Sequence, residues 1–132
     1  MAVAQQPGID PGPARAAGWR ACASVVLLMA GAINLINGIS ALHDPGFFTT
    51  HIVYSNLTFW GWAFIVWGVL QLAAGAMVMA GRDAGYRLGI GLAAVAIVLW
   101  FVMVFSEPTA ALVGVSLNVL VVYGLVAGAR TA

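Results

Sequence analysis

GAINLINGISAL, at residues 31–42, is an apolar segment that contains two asparagines, Asn34 and Asn37. It completes an uncharged run that begins at residue 21. The run is close to the roughly 20 residues that a helix needs to cross about 30 Å of hydrocarbon. The segment therefore predicts a transmembrane helix, and it raises the question of what two carboxamides do inside a membrane.

The whole chain has the composition of a membrane protein. Of its 132 residues, 63% are hydrophobic and only 7% are charged, whereas a soluble domain carries roughly 25% charged residues. Three more apolar runs follow the first, which covers 21–42; they lie at 58–80, 86–105 and 109–128. Short connections make consecutive helices antiparallel neighbours. The sequence predicts an all-α membrane protein with four transmembrane helices in an up-down-up-down bundle.

The first 18 residues differ from the rest of the chain because they are rich in Pro, Gly, Ala and Gln. Such a segment cannot bury a core. We predict a disordered tail at 1–18 and one transmembrane domain at 19–130. A cleaved signal peptide is a weaker interpretation, because the first apolar run of about 22 residues exceeds the roughly 7 to 15 residues of a signal peptide's apolar region.

The arginines predict an orientation. Arg15 and Arg20 precede helix 1, Arg82 and Arg87 lie near the turn between helices 2 and 3, and Arg130 follows helix 4. With four crossings all of them fall on one side, and basic residues favour the cytoplasmic side. We predict a plasma-membrane protein with both termini in the cytoplasm.

Aromatic residues support this orientation. Most of them cluster at the predicted outer end, while Trp19 and Tyr86 are placed at the inner membrane interface. Trp and Tyr are enriched at both interfaces of membrane proteins.

Small residues predict where the helices touch. Lipid provides no hydrophobic drive between helices, so close backbone approach over glycine and interhelical hydrogen bonds replace it. On each helix the small residues fall along one face. The predicted helix-packing glycines are Gly31, Gly38, Gly61, Gly68, Gly75, Gly85, Gly89, Gly124 and Gly128.

Four amide side chains form a candidate polar layer: Asn34, Asn37, Gln71 and Asn118. From the helical rise, Asn34 lies about 10 Å and Asn118 about 13 Å below the outer surface. We predict that Asn34 or Asn37 meets Asn118, while Gln71, about 20 Å deep, belongs to a lower layer. Two interpretations stay open: helix packing alone, or a polar site for a small ligand, ion or lipid headgroup.

A second candidate site lies at the outer end, where the polar residues are His43, Asp44, His51 and Glu107. Imidazoles and carboxylates bind zinc and similar metals. Their spacing matches no known metal site, however, and HDPG at 43–46 is also a turn sequence. We expect no metal and no cofactor here. The loop at 43–57 is compatible with a short interfacial helix and with an irregular loop.

Several functional classes lose support from what the sequence lacks. A net charge of +1 offers no basic patch for nucleic acid. No nucleophile and base pair or phosphate-binding loop is present, so we expect no enzyme. Apart from Arg87, the spans contain no ionisable group of the kind that ion-coupled transporters use. Small multidrug exporters, for example, carry a glutamate in their first helix, where this chain has only the amides of Asn34 and Asn37.

The motifs in their order resemble small four-helix membrane proteins, common in actinobacteria, that form a domain of unknown function. The resemblance covers about 19–129 and rests on GxxNxxxGxxAL at 31–42, WGW at 60–62, GVLxLxxG at 68–75 and NVLVVYGL at 118–125. The family tends to show Trp-Ala-Arg before helix 3 and an aromatic-rich turn before helix 4. This chain has DAGYR at 83–87 and SEP at 106–108 instead. The resemblance implies fold and location but no activity.

The expected function is therefore a non-enzymatic structural or accessory component of a membrane complex, or a homo-oligomer, in the lipid bilayer. The glycine pairs Gly85/Gly89 and Gly124/Gly128 favour it, because they exceed what one bundle needs. The alternative is a small transporter, channel, or lipid- or small-molecule-binding protein that uses the polar layer. A metal or catalytic site at the outer end is the third and weakest expectation.

Overall fold

The computed structural model describes residues 12–44, 57–105 and 107–129. These residues form α1 (Gly12–His43), α2 (Leu57–Met79), α3 (Asp83–Val102), which ends in a 3-10 turn (Met103–Phe105), and α4 (Pro108–Ala129). Each helix is long and apolar enough to cross a membrane. Consecutive helices pack antiparallel, and α4 also packs against α1, so the helices form a closed ring. The predicted all-α fold with four transmembrane helices is confirmed.

Helix α1 begins earlier than expected. It is helical from Gly12, so residues 12–18 do not belong to a disordered tail; residues 1–11 lie outside the described part of the chain. Pro13 occupies the first turn, where its missing N–H is not needed. The alanines that follow it have the highest helix propensity, and Ala16 is buried. The tail prediction is corrected at these positions because it gave more weight to Pro and Gly than to Ala.

The turn between α2 and α3 is fixed by a glycine. Gly81 has a φ of 72°, which glycine adopts without strain. Its N–H donates to the carbonyl of Val78 at 3.0 Å, and the N–H of Arg82 donates to the carbonyl of Met77 at 2.9 Å. These two bonds are those of a Schellman motif, which satisfies the last carbonyls of a helix. Helix α3 consequently turns back along α2 at once, and Gly85 contacts Met77.

The two ends of the bundle differ in charge and aromatic content. The first part of α1, the turn between α2 and α3, and the start of α3 carry all the arginines of the described residues. We call this the arginine end: Arg15, Arg20, Arg82 and Arg87. The opposite end, which we call the aromatic end, includes Trp60, Trp62, Trp100 and Phe105. Because Gly128 of α4 contacts Arg20 of α1, the first and last helices meet at the arginine end.

The hydrophobic core is concentrated in the half of the bundle next to the arginine end. The large buried apolar side chains of the described residues all lie there: Leu27, Val78, Tyr86, Leu92, Val121 and Leu125. In the aromatic half, the buried apolar residues of the described chain are alanines, namely Ala41, Ala96 and Ala111. Interdigitated side chains therefore hold one half together, and backbone proximity holds the other.

The outside of the bundle is apolar on all four helices. Ile36, Val66, Val98 and Leu112 are each more than half exposed, at 61%, 56%, 62% and 67%. Water would make such a surface unfavourable, whereas lipid solvates it. The chain is therefore a multi-pass membrane protein in a lipid bilayer.

Candidate functional site

Helices α1 and α2 touch through their backbones. A Cβ atom added at Gly31 would lie 2.8 Å from the carbonyl oxygen of Gly68, and one added at Gly68 would lie 2.7 Å from that of Gly31. One added at Gly38 would lie 2.6 Å from the carbonyl oxygen of Gly61. Real Cβ atoms do not approach other atoms so closely, so these positions require glycine. With Gly75, which packs on Leu28, these residues form what we call the glycine seam.

A hydrogen bond between two amide side chains spans the seam. The Nδ2 atom of Asn34 donates to Oε1 of Gln71 at 2.6 Å. Gln71 is only 4% exposed, so its amide has little access to other partners. Each amide lies three residues after a seam glycine, Gly31 or Gly68, and therefore shares that glycine's face of the helix. The bond fixes the register of the two helices where they come closest.

The predicted partner of Asn34 was wrong. Asn118 does not bond to Asn34; its Nδ2 atom donates to the carbonyl oxygen of Gly114, one turn earlier in α4, at 2.7 Å. Gln71 lies within reach of Asn34 and not in a separate lower layer. The depth estimate placed α-carbons and ignored the lean of side chains. Helical side chains lean toward the helix N-terminus, so those of antiparallel neighbours lean toward each other.

The remaining amide of the layer, Asn37, has a different environment. It lies on α1 in the aromatic half and is half-buried. Within the described part of the chain its carboxamide makes no hydrogen bond. The four predicted amides therefore divide into one interhelical pair, one bonded to its own helix, and one without a described partner.

The other predicted packing glycines are all used inside the bundle. Gly85 meets the backbone of Met77, Gly89 meets Leu125, and both Gly124 and Gly128 meet α1. Gly128 packs on Arg20, at 2.9 Å from the position of an added Cβ atom. These glycines leave no spare seam for a second copy. The expectations of an accessory component and of an oligomer both lose the sequence feature on which they were based.

A shallow groove lies between α3 and α4 at the aromatic end. It is lined only by apolar residues: Trp100, Phe101, Val104, Ala111, Leu112 and Val115. The indole of Trp100 packs directly on Gly114, where a Cβ atom would collide with the ring. The groove offers no polar group for the orientation of a polar ligand.

The outer polar residues do not assemble into a site in the described chain. His43 is exposed, and its Nδ1–H is placed to donate to the carbonyl of Ile39 at 3.0 Å. Asp44 is exposed and Glu107 is half-buried, while His51 lies outside the described residues. Among the described residues, no group of three or more His, Cys, Asp and Glu side chains could hold a metal ion.

One polar residue of the core was misplaced from the sequence. Tyr86 was assigned to the inner membrane interface, but it is only 5% exposed and packs in the core beside Val78 and Leu125. Its hydroxyl is buried, and no described residue forms a hydrogen bond with it. The spacing of the buried stripe on α3, which runs through Gly85, Gly89 and Ala93, was the available signal. Aromatic residues near the ends of transmembrane helices are more often interfacial. The prediction followed that tendency and did not use the buried stripe.

Comparison with known proteins gives a family but no activity. Neither a curated protein nor a solved structure matches the chain. A family described as Domain of unknown function (DUF7144) matches residues 19–130. The matched region contains α2, α3 and α4 and the whole glycine seam with its Asn34–Gln71 hydrogen bond. A match over most of the chain shows that it belongs to the DUF7144 family.

Proposed function

We propose that the protein is a non-enzymatic structural or accessory component of a membrane complex. The observation that supports this proposal best is the Asn34–Gln71 bond within the glycine seam. An amide that carries a transported ion must exchange its partner, whereas these two are held in close helix packing. Such bonds stabilise and orient helices in membranes.

The chemistry of the interior agrees with a passive bundle. The buried polar side chains of the described residues include Ser24 and Gln71, and Ser24 donates its hydroxyl to the carbonyl of Arg20 at 2.9 Å. No carboxylate, guanidinium or imidazole of the described residues is buried. Intramembrane ionisable groups mark proton and ion pathways. A bundle without them is better suited to contact a partner than to transport ions.

Copurification tests the accessory role. The tagged full-length chain is extracted from native membranes into polymer nanodiscs, and copurified proteins are quantified by mass spectrometry. We expect a protein partner in a fixed ratio to the chain, above the background of an unrelated four-span protein expressed at the same level. Recovery of only a homogeneous monomer without a partner would contradict the proposal.

A second candidate function is a small-molecule or lipid-binding protein, or a small channel, that opens at the aromatic end. Two observations favour it. The described chain offers the half-buried carboxamide of Asn37 no partner, and the described residues of the aromatic half include no large buried side chain. An unpaired amide in hydrocarbon is costly, so water or a ligand beside Asn37 would relieve that cost.

Cysteine accessibility separates the two candidates. In a Cys22→Ser background, Asn37→Cys is treated with a membrane-impermeant thiol reagent, and Ala23→Cys, which is 1% exposed in the wild type, serves as the buried control. Rapid labelling of Asn37→Cys with an unlabelled control would favour the binding or channel function. Absence of labelling at both positions would favour the structural function.

The proposal also assigns an orientation. We place the arginine end in the cytoplasm and the aromatic end outside, in the plasma membrane, because basic residues concentrate on cytoplasmic sides. In the Cys22→Ser background, Glu107→Cys is expected to react with an impermeant maleimide on intact cells, and Asp83→Cys only after permeabilisation. The reverse pattern would overturn the orientation.

The proposal assigns no metal or catalysis to the aromatic end. Replacement of His43 and His51 together by alanine is expected to leave the metal content of the purified protein unchanged. A loss of bound metal in this variant, measured by plasma emission spectroscopy, would support a metal site at this end.

A further inference from the structure

The arginines at the arginine end have almost no negative charge near them. Asp83 is the only acidic residue of the described chain at this end. Within the described residues, none of the arginines at this end forms an ion pair. This end therefore carries positive charge that the described residues do not neutralise.

Arg87 is the arginine that lies deepest in a membrane span. It is exposed on α3 one turn after Asp83, and from Leu88 to the end of the helix every residue is uncharged. Tyr86 faces the core, while Arg87 faces away from it. A long arginine side chain in this position extends toward the interface and keeps its guanidinium at the level of the lipid headgroups.

The surroundings of Arg87 leave room for a ligand. Asp83, four residues earlier, has the spacing that favours an ion pair on a helix, yet the two do not pair in the described structure. On the same face, Ala84 and Gly91 lie one turn to either side, and a Cβ atom added at Gly91 would meet nothing within 4 Å. Gly91 therefore presents no side chain beside Arg87 on the side toward the middle of the span.

We propose that Arg87 binds the phosphate of an anionic phospholipid on the lipid-facing side of α3, at the arginine end. The remaining arginines of this end add long-range attraction. A guanidinium forms two parallel hydrogen bonds with phosphate oxygens. The lipid's net negative charge selects it over a zwitterionic lipid. The upper part of an acyl chain lies along the open surface at Gly91.

Lipid retention tests the site. The full-length protein is purified from bilayers of equal phosphatidylglycerol and phosphatidylcholine, and the retained lipids are measured by native mass spectrometry. Each basic residue near an anionic surface contributes about 1 kcal/mol, so Arg87→Gln lowers the phosphatidylglycerol enrichment about fivefold. Asp83→Asn raises it, because one negative charge that repels the phosphate is gone.

Arg15→Gln is the matched control. It removes the same charge from an exposed position in the first turns of α1, well before Arg20, where α4 ends against α1. We expect Arg15→Gln to lower the phosphatidylglycerol enrichment clearly less than Arg87→Gln, because Arg15 contributes only long-range attraction. Inorganic phosphate added to the wash is expected to release no lipid. Equal loss in Arg15→Gln and Arg87→Gln, or wild-type retention in Arg87→Gln, would overturn the proposal, as would displacement of the lipid by phosphate.

Arg87→Lys, which keeps the charge, is expected to retain part of the enrichment and so separates lost lipid binding from misfolding.

Discussion

A carboxamide inside a membrane needs a partner, and Asn34 and Asn118 obtain one in different ways. Asn34 bonds to Gln71 on another helix, whereas Asn118 bonds to a carbonyl of its own helix. The first bond joins two helices, whereas the second lies within one helix. Removal of the two side chains should therefore have different consequences.

Asn34→Leu is expected to destabilise the protein by about 0.5–1.5 kcal/mol, the range of interhelical hydrogen bonds in membranes. Gln71 would lose its partner while it stays buried. The measurement is reversible unfolding in mixed detergent micelles. Asn118→Leu is the control and should change the free energy of unfolding much less.

The double variant Asn34→Leu/Gln71→Leu checks the cause. It should cost less than the sum of the single variants, because it leaves no unpaired buried amide. Additive effects would mean that the two amides do not depend on each other.

Tyr86→Phe is expected to have the opposite effect on stability. The hydroxyl of Tyr86 is buried without a partner among the described residues, and an unsatisfied buried polar group costs about 1–3 kcal/mol. Its removal should leave the free energy of unfolding unchanged or raise it by about 1 kcal/mol. Tyr123→Phe, at an exposed position, is the control. A clear loss of stability in Tyr86→Phe would show that the hydroxyl has a bound partner, such as a buried water.

At the scale of the helices, contact between α1 and α2 depends on the absence of side chains. The added atom of an alanine at Gly38 would lie against the backbone of Gly61, which cannot rotate away as a side chain can. The helices would have to separate over the whole contact. Gly91, by contrast, has open space around it.

Gly38→Ala should therefore destabilise the protein by about 1–3 kcal/mol, the usual cost of overpacking. Gly91→Ala should be neutral or stabilising by up to about 1 kcal/mol, because alanine favours the helix. Both are compared by the same unfolding measurement. Equal effects at the two positions would mean that helix propensity, and not backbone contact, decides the outcome.

The sequence was informative about the existence of the helices and the faces that carry their glycines. Uninterrupted apolar runs have few alternatives in a membrane, and glycines on one face have few uses other than close packing. The partner of Asn34 was not predictable in this way. The partner depends on which helices come closest to each other and on the direction in which their side chains lean. The depth of a residue along its span gives no information on either point. Tyr86 was misplaced for a related reason, since its position near a helix end outweighed its position on the buried stripe.

At the scale of the whole molecule, stability is expected to be unevenly distributed. The large buried side chains lie toward the arginine end, and Leu125 is completely buried among them. The aromatic half is joined mainly by backbone contact across the seam and by the indole of Trp100 on Gly114. Loss of side-chain volume should matter most near the arginine end.

Leu125→Ala should destabilise the protein by about 2 kcal/mol, near the low end for leucine-to-alanine changes in a core. The lower value is expected because the unfolded side chain remains in an apolar solvent, so mainly lost packing contributes. Leu120→Ala, on the same helix at a half-buried position, is the matched control and should cost less than half as much. Similar losses at both positions would mean that the complete burial of Leu125 does not decide the cost.

The glycine seam also has a consequence for the order in which the protein is made. All of its contacts join residues between Ser24 and Gly75, and these leave the ribosome before any part of α3 does. The first two helices can therefore associate as a hairpin while α3 and α4 are still emerging. The later pair then docks onto a surface that already exists, and the large side chains of the arginine half are the last to find their partners.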